Sequence, residues 1–138
     1  MKDFELIEHT ADIGIRVKAG SLDELFRKAA FAMFQMIAEP KGPTTQAAEE
    51  IPIKLNAENI EQLFVNWLNE LLSLSATKEL IFTSFKVLLL EHNRLETVAC
   101  GAPMEDFRIN AEIKAATYHE LKLEETASGW AAEVIFDV

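Results

Sequence analysis

The sequence predicts an α+β fold, with a mostly antiparallel sheet and two amphipathic helices in a single domain spanning 1–138. Three observations predict it. Apolar and polar residues alternate in several short segments, as in half-buried strands. Two longer segments carry an apolar stripe at helical spacing behind a capping residue. The second half of the chain turns to strands joined by turn residues, which favours antiparallel pairing.

Phe4 to Glu8 reads as a short strand. Ile13, Ile15 and Val17 alternate with Gly14, Arg16 and Lys18 in the next, and Ala19-Gly20 ends it. Ser21 then opens a helix, with Glu24 at the capping-box position. Leu22, Leu25, Phe26, Ala29, Ala30, Met33, Phe34 and Ile37 fall on one face, and Pro40, Gly42 and Pro43 stop the helix. Pro40 to Glu50 has little to bury and reads as a flexible stretch. Ile51, Ile53 and Leu55 mark another strand. Asn59 caps the second helix, with Gln62 at its box position and a stripe of Ile60, Leu63, Phe64, Trp67, Leu68, Leu71 and Leu72.

From about Phe82 the pattern is that of strands. Phe85, Val87 and Leu89 alternate, His92-Asn93-Arg94 supplies a hairpin turn, and Leu95 to Cys100 returns. Gly101-Ala102-Pro103 breaks that run, and Met104 to Asn110 has no clear period. Glu112 to Glu124 reads as one long strand, with Ile113, Ala115, Thr117, His119, Leu121 and Leu123 on one face. Ala127-Ser128-Gly129 turns the chain into a last strand, in which Trp130, Ala132, Val134 and Phe136 share a face. The expected order is β, β, α, β, α and then at least four strands, with no internal repeat. The apolar stripes are core.

The 138 residues suit one domain. A chain of this length buries roughly two-thirds of its unfolded surface, enough for a core without staples. With 23 acidic and 13 basic residues the formal charge is −10. Nucleic-acid affinity comes largely from Lys and Arg neutralising phosphates. This balance therefore argues against a phosphate-gripping surface and suits a basic partner, cations or simple solubility. The single Cys100 excludes an intrachain disulfide and a cysteine-cluster zinc site; it reads as a small, partly buried strand residue. Met1 to Glu5 has no apolar signal region, and no apolar run approaches the ~20 residues that span a bilayer. The expectation is a cytoplasmic protein with no membrane association.

Motifs for phosphate loops, zinc proteases, redox dithiols and serine hydrolases are all missing. His9, His92 and His119 stand in no ligand or triad spacing. The informative residues are carboxylates. Asp12 lies between two strand segments. Asp137 lies at the end of the last strand, covalently close to the terminal carboxylate of Val138. Phe136 and Val138 are spaced to bury on the same face, which would fix this end. Were the sheet to bring Asp12 alongside, several anionic oxygens would meet, and a hard cation such as Ca²⁺, Mg²⁺ or Mn²⁺ would offset their repulsion. His9 would be a further ligand or an outer partner. The alternative is plain: Asp12 caps a turn through its own backbone, Asp137 is a solvated strand end, and His9 and His119 are structural.

Read together, several pieces resemble the archease family. They are His9-Thr10-Ala11-Asp12-Ile13-Gly14, Gly20 to Phe26 followed by Ala29-Ala30, and Trp67-Leu68-Asn69-Glu70-Leu71-Leu72. Lys114-Ala115-Ala116-Thr117-Tyr118-His119 and the closing strand Trp130 to Val138 complete the set. They span the chain in family order. The resemblance implies a metal-binding activator of the GTP-dependent RNA-splicing ligase, one that promotes ligase guanylylation and multiple turnover in tRNA splicing and RNA repair. It implies a protein cofactor that is not itself an enzyme, with the ligase as partner and tRNA met only through it. The family's metal positions carry over to Asp12, Asp137 and Val138, for Ca²⁺ in a crystal and Mg²⁺ or Mn²⁺ in the cell. Lys114, His9 and His119 become candidates for partner or outer contacts. One region departs from the family pattern: Gly101 is followed by Ala102 where Gly-Glu is common, and no His lies between Gly101 and Lys114. Two other classes stay open, a metal-dependent enzyme acting alone on a small phosphorylated substrate and a general protein chaperone. Turnover with metal and no ligase would mark the first, and suppression of client aggregation the second.

Overall fold

The computed structural model describes residues 4–8, 12–43 and 48–138. The strands are β1 (Phe4–Glu8), β2 (Asp12–Ala19), β3 (Ala38–Pro40), β4 (Glu49–Asn56), β5 (Leu80–Leu90), β6 (Arg94–Pro103), β7 (Phe107–Ile109), β8 (Ala115–Ala116), β9 (Lys122–Thr126) and β10 (Gly129–Asp137). The helices are α1 (Leu22–Ile37) and α2 (Ile60–Lys78), with a 3₁₀ turn at Met104–Asp106. The α+β expectation holds, and every strand pair among the described residues is antiparallel.

The strands divide into three sheets, a division that alternation alone does not reveal. In the first, β1, β2 and β10 are neighbours, and β9 and β8 share the other edge of β10. The second pairs β3 with β7, and the third runs β4-β6-β5. Both helices touch more than one sheet. α1 packs on β2, β10 and β5, while α2 packs on β4, β5 and β8. This explains why Ala32 and Val65, outside the stripes expected from sequence, are also buried.

Each helix begins as its sequence dictates. Ser21 Oγ accepts from the Glu24 N–H at 3.3 Å, and Asn59 Oδ1 accepts from the Gln62 N–H at 2.8 Å. The reciprocal bonds reach one residue further back than in the usual box, since Glu24 accepts from the Gly20 N–H and Gln62 from the Glu58 N–H. The helices are tied together where the fully buried Trp67 donates its indole N–H to the Phe26 carbonyl at 2.9 Å.

Three local expectations fail, and one short strand is added to those expected. Gly101-Ala102-Pro103 does not break the strand. β6 continues through it, because Gly101 admits the close approach of Phe82 and Pro103 stands at the strand's last position. The short strand β3 follows α1 directly and pairs with β7. The long strand expected over Glu112–Glu124 is broken: only Ala115–Ala116 and Lys122–Thr126 pair with β10. Between them the chain turns at His119-Glu120, and Glu120 adopts a left-handed φ of 51°. Finally, Phe136 is fully buried but Val138 is 49 % exposed, so the two do not anchor the end together. The strand ends at Asp137, and Val138 runs past it.

Candidate functional site

Strand alternation sends Ile13, Ile15 and Val17 of β2, and Val134 and Phe136 of β10, into the core. The residues between them form the outer face, which has three rows set by the antiparallel register. In the first, Asp12 pairs directly with Asp137. In the second, Gly14 lies between Ile7 and Ile135. In the third, Glu5, Arg16, Glu133 and Lys122 line up across four strands.

The third row alternates in charge. Arg16 reaches Glu5 at 2.7 Å and Glu133 at 3.1 Å, and Lys122 reaches Glu133 at 3.5 Å. The Arg16 hydrogen bond holds the Glu133 carboxyl below its ordinary range, and the two carboxylates raise the Arg16 guanidinium. The middle row is apolar. Ile135 is 3 % exposed although it faces outward, because Gly14 leaves room for it. A Cβ on Gly14 would stand 2.7 Å from Ile135 Cδ1 and from the Val134 carbonyl oxygen.

The first row is the anomaly. Like charges directly opposite one another in a sheet repel. Asp12 is half-buried and Asp137 exposed. Among the described residues neither has an ion-pair partner. This contrasts with the compensated ladder two rows away. Two facing carboxylates are a donor set that fits a hard divalent cation completed by water or by further oxygens. Among the described residues no three His, Cys, Asp or Glu side chains cluster as a metal site, so the pair needs such completion.

The segment after Asn110 borders this row. The Lys114 N–H donates to the Asp137 carbonyl at 2.8 Å, and Ala115 and Ala116 pair with Asp137 and Phe136. Thr117 donates its N–H and its hydroxyl to the Ile135 carbonyl, at 3.0 and 2.8 Å. Lys114 is exposed at the acidic end. His119 is exposed in the turn beyond, its N–H donating to Thr117 Oγ1 at 3.3 Å. Val138 adjoins Asp137 in sequence. His9, with Thr10 and Ala11, lies outside the described residues.

Sequence reasoning gave no role to two residues that shape this end. Gly14 enters only as an outward position in an alternation and as the last residue of a family motif. Asn69 appeared only inside a helical motif, yet its side chain binds the backbone of β8 (Oδ1 accepting from the Ala116 N–H at 2.7 Å, Nδ2 donating to the Ala116 carbonyl at 3.1 Å). The available signal was an asparagine in mid-helix, where it is a poor former.

Fold and site define a small α+β protein that presents paired carboxylates at the end of a two-strand seam. The chain belongs to the archease family: the model described as "Archease protein family (MTH1598/TM1083)" matches residues 4–138. It is similar to the protein archease of Methanosarcina acetivorans, 37 % identical over 99 % of this chain and 97 % of that one. It is also similar to that of Pyrococcus abyssi, 34 % identical over the whole of both. The solution structure of Methanobacterium thermoautotrophicum protein 1598 superposes with a TM-score of 0.78 at 27 % identity, covering all of both chains. The crystal structure of a Thermotoga maritima archease, described as a possible chaperone, superposes with a TM-score of 0.66 at 25 % identity, over 96 % of this chain and 94 % of that one. Among the described residues no helix is long and apolar enough to cross a membrane.

Proposed function

We propose that this protein is a metal-binding activator of a GTP-dependent RNA-splicing ligase, promoting ligase guanylylation and multiple turnover in tRNA splicing and RNA repair. It acts as a protein cofactor in the cytoplasm and is not itself an enzyme. The observation that carries the reading is the cross-strand pair of Asp12 and Asp137, which has no ion-pair partner among the described residues. Family resemblance supplies the partner, and it adds Val138 as the third metal position.

Nucleotidyl transfer needs cations that offset developing charge and orient phosphates. When bound, the ion would supply that Lewis-acid chemistry. Asp12 and Asp137 would hold it at the end of the seam, where the register of β2 with β10 sets them opposite one another. Lys114, exposed and bonded through its N–H to the Asp137 carbonyl, is the candidate to meet the ligase or its nucleotide, with His9 and His119 as outer candidates. The formal charge of −10 favours docking to a basic, RNA-binding enzyme. RNA is met through the ligase.

The test is guanylylation and multiple-turnover RNA joining by the cognate ligase, with wild type and with Asp12→Ala. Stimulation by wild type alone is expected. Equal stimulation by a folded Asp12→Ala would sink the metal reading. No stimulation by either would sink the helper reading and return attention to a metal-dependent enzyme acting alone.

A further inference from the structure

The acidic end is built from an unusual piece of sheet. β8 is only two residues long, with register pairs to Phe136 and Asp137 alone. Thr117 bonds back to β10 through Ile135, while the N–H and C=O of Ala116 meet Asn69 instead. One primary amide thus satisfies both polar groups of one residue, as the next strand of a sheet would. Two bonds of 2.7 and 3.1 Å also exclude free rotation of that side chain.

The helix that carries Asn69 is well held. Its neighbours Trp67, Leu68 and Leu71 are fully buried, and Trp67 is bonded to α1 through the Phe26 carbonyl. Asn69 is therefore a fixed post, and β8 is clamped between it and β10. Lys114 lies two residues before the clamped Ala116, with its N–H on the Asp137 carbonyl. The backbone of Lys114 is therefore held against Asp137 next to that clamp.

We infer that Asn69 is the positioning residue of the acidic site: by docking Ala116 onto α2 it holds Lys114 beside Asp137 in the geometry the ligase meets. The inference rests on the reading of Asp12 and Asp137 as the working end. Only a side chain with one donor and one acceptor at this reach does the task. Aspartate keeps size and acceptor, but sets a carboxylate oxygen against the Ala116 carbonyl. Glutamine keeps both partners on a longer arm.

The experiment compares wild type, Asn69→Asp and Asn69→Gln. It reads amide hydrogen exchange at Lys114, Ala116 and Thr117, thermal unfolding, and ligase guanylylation titrated with each protein. Expected for Asn69→Asp are faster exchange confined to this segment and a plateau of stimulation about tenfold lower, the size seen when outer support of a site is removed. The half-saturating protein concentration should stay near that of wild type, and Asn69→Gln should recover part of the plateau. A merely structural Asn69 would lower the unfolding temperature and leave the plateau of the folded variant unchanged, which overturns the inference. So would wild-type exchange in Asn69→Asp. If Asn69→Asp does not fold, Asn69→Gln decides: a plateau equal to wild type despite faster exchange overturns positioning, and a partial plateau supports it. If wild type itself fails to stimulate the ligase, the proposed function falls, and exchange at Ala116 alone judges the clamp.

Discussion

Ile135 lies over Gly14, its Cδ1 only 2.7 Å from where a β-carbon on Gly14 would stand, one row from the facing pair of Asp12 and Asp137. The Val134 carbonyl oxygen is equally close to that point, so backbone as well as side chain would have to give. Gly14→Ala should cost about 1–3 kcal/mol, in line with overpacking a filled site. It should also weaken divalent-ion binding by spreading the β2–β10 seam. Urea unfolding and a metal titration on the same variant check both. A stable variant with unchanged metal binding would show that the seam tolerates the methyl group.

Thr97 sits on the core side of β6, opposite Ile53 and Val87, and is 2 % exposed. Its Oγ1 is buried with no hydrogen-bond partner among the described residues. A buried hydroxyl without a partner costs desolvation free energy that the folded state does not regain. Thr97→Val keeps the branched shape and should stabilise the protein by about 1 kcal/mol. The urea midpoint should rise at constant slope; a lower midpoint would mean that the hydroxyl is satisfied in solution.

The charge ladder predicts a pH dependence. The Arg16 hydrogen bond, foremost among its causes, lowers the Glu133 pKa in the folded state. A depressed carboxylate pKa contributes stability that is full above the unfolded value, about 4.3, and is lost as pH falls through the lower folded value. Wild type should therefore exceed Glu133→Gln in stability near neutrality, with the gap closing as acid protonates Glu133. Urea midpoints at pH 7 and at successive steps below about 4.3 measure it. A gap that stays constant through that range would remove Glu133 from the ladder's energetics.

Much of this molecule is written in local pattern. Ser21 and Asn59 announce the helix starts, and the alternation through Ile13, Ile15 and Val17 sets which residues of β2 face out. That alternation puts Asp12 on the outer face, and the position of Asp137 at the close of β10 is equally legible. Their pairing depends on the long-range register of β2 with β10, which local pattern does not encode. β3 and β7 are three residues each, too short for a period to appear. The break between β8 and β9 is hidden because Ile113 and Ala115 share their parity with Leu121 and Leu123, on either side of the left-handed Glu120. Burial of Val138 was expected from its spacing to Phe136, but spacing carries no information about where pairing stops.

In the function proposed for this protein, Asp12 and Asp137 serve ligase activation through a divalent cation. The most direct measurement is ligase guanylylation as a function of Mg²⁺ or Mn²⁺ concentration, stimulated by wild type or by Asp137→Asn. Asp137→Asn should need about tenfold more metal, or worse, for half-maximal stimulation, since a lost ligand cannot matter less than a lost outer partner. An unchanged metal midpoint with full stimulation by Asp137→Asn would contradict it.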